Sequence, residues 1–536
     1  MNKINFINWR LVLILLLLIS LIFIILVKII SVQVKDGSFL QSEGEKRQIT
    51  FNKTLPTRGG IYDRNSFPLA ITVKNYDLYA LKGFSENQFV KLSNTIEIES
   101  YTNRSFSKKT LLVKDLTLAE VNAIKKLSIN NIEIESRQSR HYPLGQQISP
   151  LIGFYGKDGA LEGLEKSYDH ILSGMSGKQK LYRNAKQEVI SKPIVIKKTI
   201  HGQNIALTID ATIQFYAYKH LVEAVKSNKA KAGTAIILDN SKGEVLAMVS
   251  YPSYNPNNPA RKVQKNRALV DSYELGSVMK PIVFSGILEN NLLQADEIIE
   301  TPQRIKIGKK VISDTKNHEK LSIKEIIAHS SQVGASKLAI SLGYDELKRT
   351  YLNFGFTKPI SLNFPSSAFG FMNFSDDIPQ HSLASLGYGY GIKVSPYQLS
   401  TAYSVFANDG ILKDFKLLLS DEISSKRIIS NQTANQTIDA LKEVIKIGTG
   451  KKAYIKGYEV AGKTGTAHKI RNGDYADDLY QASFVGITPL SKNSLTIFVS
   501  IDEPGLNAYS GGTIAAPLFK VIAEDVLNYL GYIGNE

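Results

Sequence analysis

The chain has 536 residues, which is too long for one small domain and predicts two or three domains. Its 43% hydrophobic and 21% charged residues are typical of globular proteins and argue against a disordered, collagen-like or polytopic membrane protein. It has no cysteine, which excludes disulfides, thiolate metal sites and a cysteine nucleophile. The 8 histidines form no metal-binding pattern, so we predict no metal and no other cofactor. The net charge of +16 allows an anionic neighbour, but without a basic run interleaved with aromatic residues we predict no nucleic-acid binding.

An apolar run near the N-terminus predicts a single transmembrane helix over residues 11–30, after a cytoplasmic tail of residues 1–10. The run is interrupted only by Ser20 and Lys28, and no small-residue cleavage site follows it. A cleaved signal peptide is the alternative. No later run is as long, so the rest of the chain is expected to lie outside the cytoplasm.

The remaining chain changes character near residue 200. Residues 31–200 mix short β-like runs with polar turns, whereas residues 201–536 show regular helix and strand patterns. Thr208 or Asp210 is expected to cap a helix. Strands are predicted at Gly233–Asp239, Glu244–Ser250, Lys463–Ile470, Gln481–Thr488 and Leu495–Asp502, and a closing helix at Ala515–Tyr529. An Asn472-Gly473 turn is predicted between the third and fourth of these strands. Strands at both ends of this region, with helices between them, predict one antiparallel sheet built from distant segments.

Ser277 is the candidate nucleophile of this region. Lys280 follows it at i+3 and Pro281 comes next, as at the start of a helix. In that geometry the lysine amine can reach the serine hydroxyl and, if its pKa is lowered, remove the proton. The same spacing at Ser105 and Lys108 has no supporting context, and we interpret it as an exposed polar stretch.

Two further segments carry polar groups suited to a site. Ser330 and Gln332 follow a short helix that Ser322 and Glu325 can cap reciprocally. Lys463–Thr466 lies at the head of a predicted strand, where a cation and two hydroxyls can hold a carboxylate and Gly465 permits close approach. Each segment alone also fits a purely structural interpretation. The first is consistent with an ordinary polar turn, and the second with a solvated edge strand.

The residues Gly457–Thr464 also match the G-x-x-x-x-G-K-[ST] pattern of a P-loop. A P-loop needs a buried strand before the first glycine and a helix starting at the lysine, and neither is predicted here. We therefore regard a nucleotide-binding ATPase as a weak alternative.

The order Ser-x-x-Lys, Ser-x-Gln and Lys-Thr-Gly resembles the penicillin-binding proteins and serine β-lactamases. Longer segments resemble the class B penicillin-binding proteins, and some of them the septal, FtsI-type branch. These segments are Pro56–Arg64, Arg140–Gly145, Glu162–Glu165, Tyr251–Asn258, Asn266–Ala268, Gly387–Gly391 and Gly512–Pro517. The resemblance covers essentially the whole chain.

The resemblance implies an α+β transpeptidase domain, in which a five-stranded antiparallel sheet lies between helices. An elongated mixed pedestal domain (31–200) and one transmembrane helix would precede it. It further implies a peptidoglycan D,D-transpeptidase of the division septum, periplasmic and anchored in the inner membrane, that is acylated by β-lactams. Its substrates would be lipid II-derived stem peptides, and its partners an FtsW-like glycosyltransferase and other division proteins.

Residue roles carry over from the same motifs. Ser277 would be the nucleophile, Lys280 its base and Ser330 the proton relay. Lys463, Thr464 and Thr466 would hold the substrate carboxylate, and the N–H groups of Ser277 and Thr466 would form the oxyanion hole.

Gln332 stands where the family has Asn; it keeps the amide group but adds one methylene. This difference is expected to affect substrate orientation or the acylation rate. Leu275, Ser66 and Arg183-Asn184 also depart from the family pattern. The alternatives are a catalytically weak division scaffold and an elongation-type class B transpeptidase. A β-lactam sensor would need a cytoplasmic signalling domain, for which the short N-terminal tail leaves no room.

Overall fold

A computed structural model describes residues 9–98, 108–156, 158–184, 188–258, 265–368, 370–372, 378–491, 493–505 and 508–534. The predicted cytoplasmic tail therefore lies outside the described residues except for Trp9 and Arg10, and so does Ser105. The chain divides into two compact units. The first is Met1–Arg58 with Ser173–Gly202, and the second is Gly59–Leu172 with Gln203–Glu536.

The first unit begins with the apolar helix Trp9–Ile30, which contains the predicted span. In the part of the chain that the structure describes, it belongs to the one helical segment long and apolar enough to cross a membrane. A π-helical turn, Ser31–Lys35, and the helix Gly37–Gln48 follow it. The strands Ile49–Thr54, Gly177–Tyr182 and Ile194–Lys197 form an antiparallel sheet in that order.

The second unit begins with a five-stranded sheet that packs against short helices. The strands of this sheet are Ile61–Tyr62, Pro68–Ala80, Thr110–Leu116, Ile132–His141 and Ile205–Ala206. The helices are Glu86–Ser93, Leu118–Lys126, Ser149–Ile152, Gly163–Ser167 and Asp169–Leu172, and a small hairpin pairs Tyr155–Gly156 with Gly159–Ala160.

Three of the N-terminal motifs meet at one buried ion pair. The Arg140 Nε donates a hydrogen bond to Glu165 Oε1 at 2.7 Å, and the two side chains are 2% and 0% exposed. The Arg140 guanidinium also donates to the Gly59 carbonyl at 2.8 Å. Removing either charge would leave the other buried without its partner, so these distant motifs depend on one another.

The second sheet of this unit has five antiparallel strands: β1 (Ala232–Asp239), β2 (Glu244–Tyr251), β3 (Ala461–Arg471), β4 (Asp474–Thr488) and β5 (Leu495–Asp502). Their order is β2-β1-β5-β4-β3, so β3 is an edge strand. The five predicted strands are confirmed. Their observed ends differ from the predicted ends by at most two residues, except that β4 begins at Asp474 instead of Gln481. The turn between β3 and β4 is the predicted Asn472-Gly473, and both residues have positive φ.

Helices cover both faces of this sheet, as the fold class predicts. The helices used below are α1 (Ala211–Ser227), α2 (Lys280–Glu289), α3 (Ile323–His329), α4 (Gln332–Leu342), α5 (Pro396–Ala407), α6 (Asn431–Lys446) and α7 (Ala516–Tyr529). Helices α1 and α7 pack against one face, through residues such as Leu221 and Phe519. Helices α2 and α5 pack against the other, through Ile282 and Leu399 among others. Asp210 caps α1 by accepting from the N–H groups of Thr212 and Ile213.

The remaining elements are short and connect these layers. The helices are Arg267–Val270, Tyr344–Asn353 and Gln380–Leu386. The paired strands are Ile298–Thr301 with Glu319–Ser322, Arg304–Ile307 with Lys310–Ser313, Phe371–Met372 with Ile392–Lys393, and Ile411–Lys413 with Ser425–Arg427.

Candidate active site

Ser277 lies in a 3-10 turn, Gly276–Met279, immediately before α2. The sequence predicts the first turn of an α-helix here, whereas the structure has a tighter 3-10 turn, and α2 begins at Lys280. The buried Tyr403 of α5 fixes this turn by donating its hydroxyl to the Val278 carbonyl at 2.7 Å. Ser277 is partly exposed on this turn.

Two glycines allow a neighbouring backbone segment to pack closely against the turn that carries Ser277. Gly276 has φ +63°, a conformation that an L side chain resists. Gly389 has φ +87°, and a Cβ on it would lie 2.1 Å from the Gly276 carbonyl oxygen. The glycine-rich segment Gly387–Gly391 thus packs directly on the turn that carries Ser277.

Lys280 and Lys463 meet at the hydroxyl of Ser330. Lys280 Nζ donates to Ser330 Oγ at 3.2 Å and to the Ser330 carbonyl at 2.5 Å. Lys463 Nζ donates to Ser330 Oγ at 2.9 Å and to the Thr464 carbonyl at 3.2 Å. Ser330 itself ends α3 with φ 61°, in the left-handed region, which turns its side chain into this cluster. The predicted capping box of Ser322 and Glu325 at the start of α3 is present.

Burial sets the protonation of the two amines. It lowers the pKa of the Lys280 amine to about 7, and the negative charge of Asp314 opposes the shift. Burial also lowers the pKa of Lys463 well below its usual range, and the nearby Lys280 adds to the effect. The sequence predicts that the Lys280 amine can reach the Ser277 hydroxyl, whereas the described residues show that amine bonded to Ser330.

Asp314 positions the segment that carries Ser330, and the sequence did not reveal it. Its Oδ1 accepts from the backbone N–H of Gln332 at 2.5 Å and from that of Val333 at 3.2 Å. Its Oδ2 accepts from Ser331 Oγ at 2.5 Å. The carboxylate thus caps α4 from outside the helix. Asp314 follows the hairpin strand Lys310–Ser313, so only the tertiary fold brings it here.

Strand β3 packs its edge against the Ser277 turn. A Cβ on Gly465 would lie 2.8 Å from the Leu275 carbonyl and 3.0 Å from a methyl group of Val278, so a larger residue would push the strand away. Thr464 Oγ1 lies 2.6 Å from Thr449 Oγ1, a partner that the sequence did not indicate. Thr466 Oγ1 accepts from the Gly511 N–H at 3.0 Å, which leaves its own hydrogen free to donate.

Gln332 lies on the wall of a cavity of about 420 Å³. Other residues that line it include Lys310, Tyr388, Tyr390, His468 and Tyr475. Hydrogen bonds fix this wall, because Tyr475 donates to Glu274 at 2.8 Å and the His468 N–H donates to the Tyr390 hydroxyl at 3.1 Å. The Gln332 side chain is therefore directed to a preformed cleft, while its backbone is held by Asp314.

A larger cleft of about 760 Å³ lies against α6 and Tyr454–Val460. None of the eight predicted site residues lines this cleft, so the larger cavity is not the candidate active site.

Lys463 and Thr464 lie within strand β3, where a P-loop would require the start of a helix, so the P-loop interpretation is wrong. Within the described residues, no group of three or more histidine, aspartate or glutamate side chains is placed to hold a metal ion.

Comparisons with known proteins agree with this geometry. Residues 233–524 match the model of the penicillin binding protein transpeptidase domain, and residues 53–207 match that of the penicillin-binding protein dimerisation domain. The chain belongs to the class B penicillin-binding proteins. The family and the fold class predicted from the sequence are thereby confirmed.

Individual relatives extend this assignment along the chain. This penicillin-binding protein is 32% identical to the peptidoglycan D,D-transpeptidase FtsI of Buchnera aphidicola subsp. Schizaphis graminum, over 98% of this chain and 96% of that protein. It is 30% identical to FtsI of Escherichia coli K12, over 98% and 92%. Its structure resembles that of penicillin binding protein 3 from Mycobacterium tuberculosis complexed with aztreonam, with a TM-score of 0.71, 25% identity, and 90% and 98% of the two chains covered.

Proposed function

We propose that this penicillin-binding protein is a serine peptidoglycan D,D-transpeptidase that cross-links stem peptides at the division septum. The observation that carries the proposal is the cluster in which two buried lysine amines donate to the single hydroxyl of Ser330, beside the turn that holds Ser277. Buried amines of lowered pKa are suited to remove and return protons near neutral pH.

In the first step, Ser277 Oγ attacks the carbonyl carbon of the penultimate D-Ala of a stem peptide. Neutral Lys280 takes the hydroxyl proton as the new C–O bond forms. The C–N bond to the terminal D-Ala breaks, and Ser330 relays a proton to the leaving amine. The N–H groups of Ser277 and Thr466 stabilise the oxyanion, and an acyl-enzyme remains.

In the second step, an amine from another stem peptide attacks the ester carbonyl. The C–N bond of the cross-link forms, the bond to Ser277 Oγ breaks, and a proton returns to that oxygen. Water must be excluded, because it would hydrolyse the same ester.

Lys463, Thr464 and Thr466 bind the terminal carboxylate of the donor peptide in this proposal. The Thr466 hydroxyl has its hydrogen free to donate, and Lys463 supplies a buried cation once a carboxylate is beside it. A protonated Lys463 in turn disfavours a second charge on Lys280. Gln332 orients the substrate from the wall of the adjoining cavity.

We place the N-terminus in the cytoplasm, the helix Trp9–Ile30 in the inner membrane and the rest of the chain in the periplasm. A pedestal of residues 31–200 would support a transpeptidase domain of residues 201–536. An FtsW-like glycosyltransferase would supply the glycan strands, since the class B family cross-links but does not polymerise them.

Labelling of the full-length protein with a fluorescent penicillin tests the proposal. We expect stoichiometric covalent labelling, lost in Ser277→Ala and retained in Ser272→Ala, a nearby serine outside the cluster. A wild-type protein that does not label would favour the scaffold interpretation, and labelling that persists in Ser277→Ala would refute the nucleophile. Imaging a tagged chain tests the septal role, because an elongation-type enzyme would lie along the side wall.

A further inference from the structure

The three-stranded sheet of the first unit presents a row of lysines. Cross-strand pairing places Lys53 opposite Lys178, and Lys178 opposite Lys197. Side chains that pair directly across strands share one face, at about 5 Å between Cβ atoms. Like charges in this position repel each other, so the row destabilises the sheet unless an anion lies beside it.

The protein itself supplies no such anion in the residues that the structure describes. None of the 16 residues of the three strands is acidic, and none of these three lysines forms an ion pair with a described residue. All three are exposed. The neighbouring row adds Lys180, which is partly exposed, so the same face carries four cations.

Apolar and aromatic groups lie between these cations. Phe51 pairs across the strands with Lys180, and Lys180 pairs with Ile194, so all three share the lysine face. Phe51 is 56% and Ile194 48% exposed. The amine of Lys178 lies 4.2 Å from the centre of the Phe51 ring. The opposite face differs, since Leu181 is buried there.

The sheet also lies close to the membrane anchor. Only residues 31–48 separate the helix Trp9–Ile30 from the strand Ile49–Thr54, and almost all of them are helical. At 1.5 Å per residue, this segment spans at most about 27 Å. Cations interleaved with aromatic and aliphatic side chains are typical of surfaces that bind the headgroup region of a bilayer.

We propose that the lysine face, comprising Phe51, Lys53, Lys178, Lys180, Tyr182, Ile194 and Lys197, binds anionic phospholipid headgroups of the membrane that holds the anchor. The phosphates neutralise the lysine row, and Phe51 and Ile194 contact the boundary between headgroups and acyl chains. This inference rests on the membrane anchoring proposed above but not on the catalytic chemistry.

The absence of native cysteine makes a direct test possible. The full-length chain would be placed in nanodiscs of phosphatidylcholine, with or without phosphatidylglycerol, that contain a headgroup nitroxide quencher. A fluorophore at Ile194→Cys reports the lysine face, and one at Val195→Cys, which pairs on the opposite face and is similarly exposed, is the matched control. We expect quenching at position 194 to exceed that at position 195 by about twofold or more in the anionic discs, and the difference to vanish at high salt.

Lys178→Glu separates lipid binding from folding. It places a carboxylate between Lys53 and Lys197, so the melting temperature should stay the same or rise, while quenching at position 194 falls to the control level. Lys452→Glu makes the same charge change at an exposed lysine of the second unit and should change neither.

Equal quenching in neutral and anionic discs, or quenching that survives in Lys178→Glu, would overturn the proposal. A protein captured by photo-crosslinking from position 194 in cells, without headgroup contact in the discs, would assign the face to a protein partner and also overturn it. A chain that does not insert into discs would contradict both the anchor and the lipid site. Penicillin acylation of the same discs reports the catalytic proposal separately.

Discussion

The amines of Lys280 and Lys463 donate hydrogen bonds to the same oxygen, Ser330 Oγ, at 3.2 and 2.9 Å. Both side chains are buried, so two positive charges there would repel each other with little screening. Protonation of one amine therefore lowers the proton affinity of the other. In the proposed mechanism, a substrate carboxylate that keeps Lys463 charged would also keep Lys280 neutral, so the substrate would help to prepare the base that activates Ser277.

The acylation rate should depend on pH through Lys280. Because the pKa of its amine is about 7, we expect the second-order rate constant for penicillin acylation to rise with pH through that value and to level off above it. Asp314→Asn removes the negative charge that raises this pKa, so the midpoint should move to lower pH. A pH titration of the rate by stopped-flow fluorescence measures both. A variant that lowers the plateau but leaves the midpoint in place would show that Asp314 has only a structural role.

Lys463→Met should weaken acylation by about 10- to 150-fold, because one charge-assisted hydrogen bond to the carboxylate contributes about 1.5–3 kcal/mol. The rate constant at saturating pH is the measurement. Lys469→Met is the control on the same strand, since Lys469 pairs with Asp502 and Glu503 instead of Ser330. If the two variants acylate equally slowly, the effect comes from a disturbed strand and not from the carboxylate site.

Gly389→Ala should displace the Ser277 turn, because the new methyl group would lie 2.1 Å from the Gly276 carbonyl oxygen. We expect a loss of acylation of more than about tenfold, together with a lower melting temperature. Gly473→Ala is the matched control: Gly473 has φ +94° and nothing within 4 Å of its Cβ position, so this variant incurs the conformational cost alone. Comparable acylation by the two variants would argue against close packing on the turn.

Gln332→Asn should leave the acylation rate unchanged or raise it. The change restores the amide position of the family, and the backbone at this residue stays fixed by Asp314. Rapid-mixing kinetics with a fluorescent penicillin gives the rate. A tenfold fall would mean that the cavity around Tyr388 and Tyr475 has been reshaped to fit glutamine.

Local signals in the sequence predicted local structure well. The Asp210 cap, the Ser322 and Glu325 capping box and the Asn472-Gly473 turn all depend on neighbours within a few residues, and all are present. The order of the three catalytic motifs predicted the family because it combines three weak local patterns. The roles of the individual site residues stay predictions, to be tested by the variants above.

Contacts between distant segments could not be predicted from the sequence. Asp314 reaches α4 from another hairpin, and Thr449 reaches Thr464 from the end of α6. No periodicity or spacing specifies such pairs, since they exist only after the layers have packed. The sequence suggested that the Lys280 amine would reach the Ser277 hydroxyl, but in the structure this amine donates to Ser330. This contact too depends on the packing of segments that are distant in the sequence.

The order of the catalytic sheet also constrains when this enzyme can become active. Strand β1 pairs along its length with β5, which comes last of the five strands along the chain. The edge strand that carries Lys463 joins β1 only through β4 and β5, so the sheet cannot be completed until the chain has been synthesised through Asp502. A chain that lacks β5 would therefore be unable to acylate, which confines cross-linking activity to molecules in which all five strands are present.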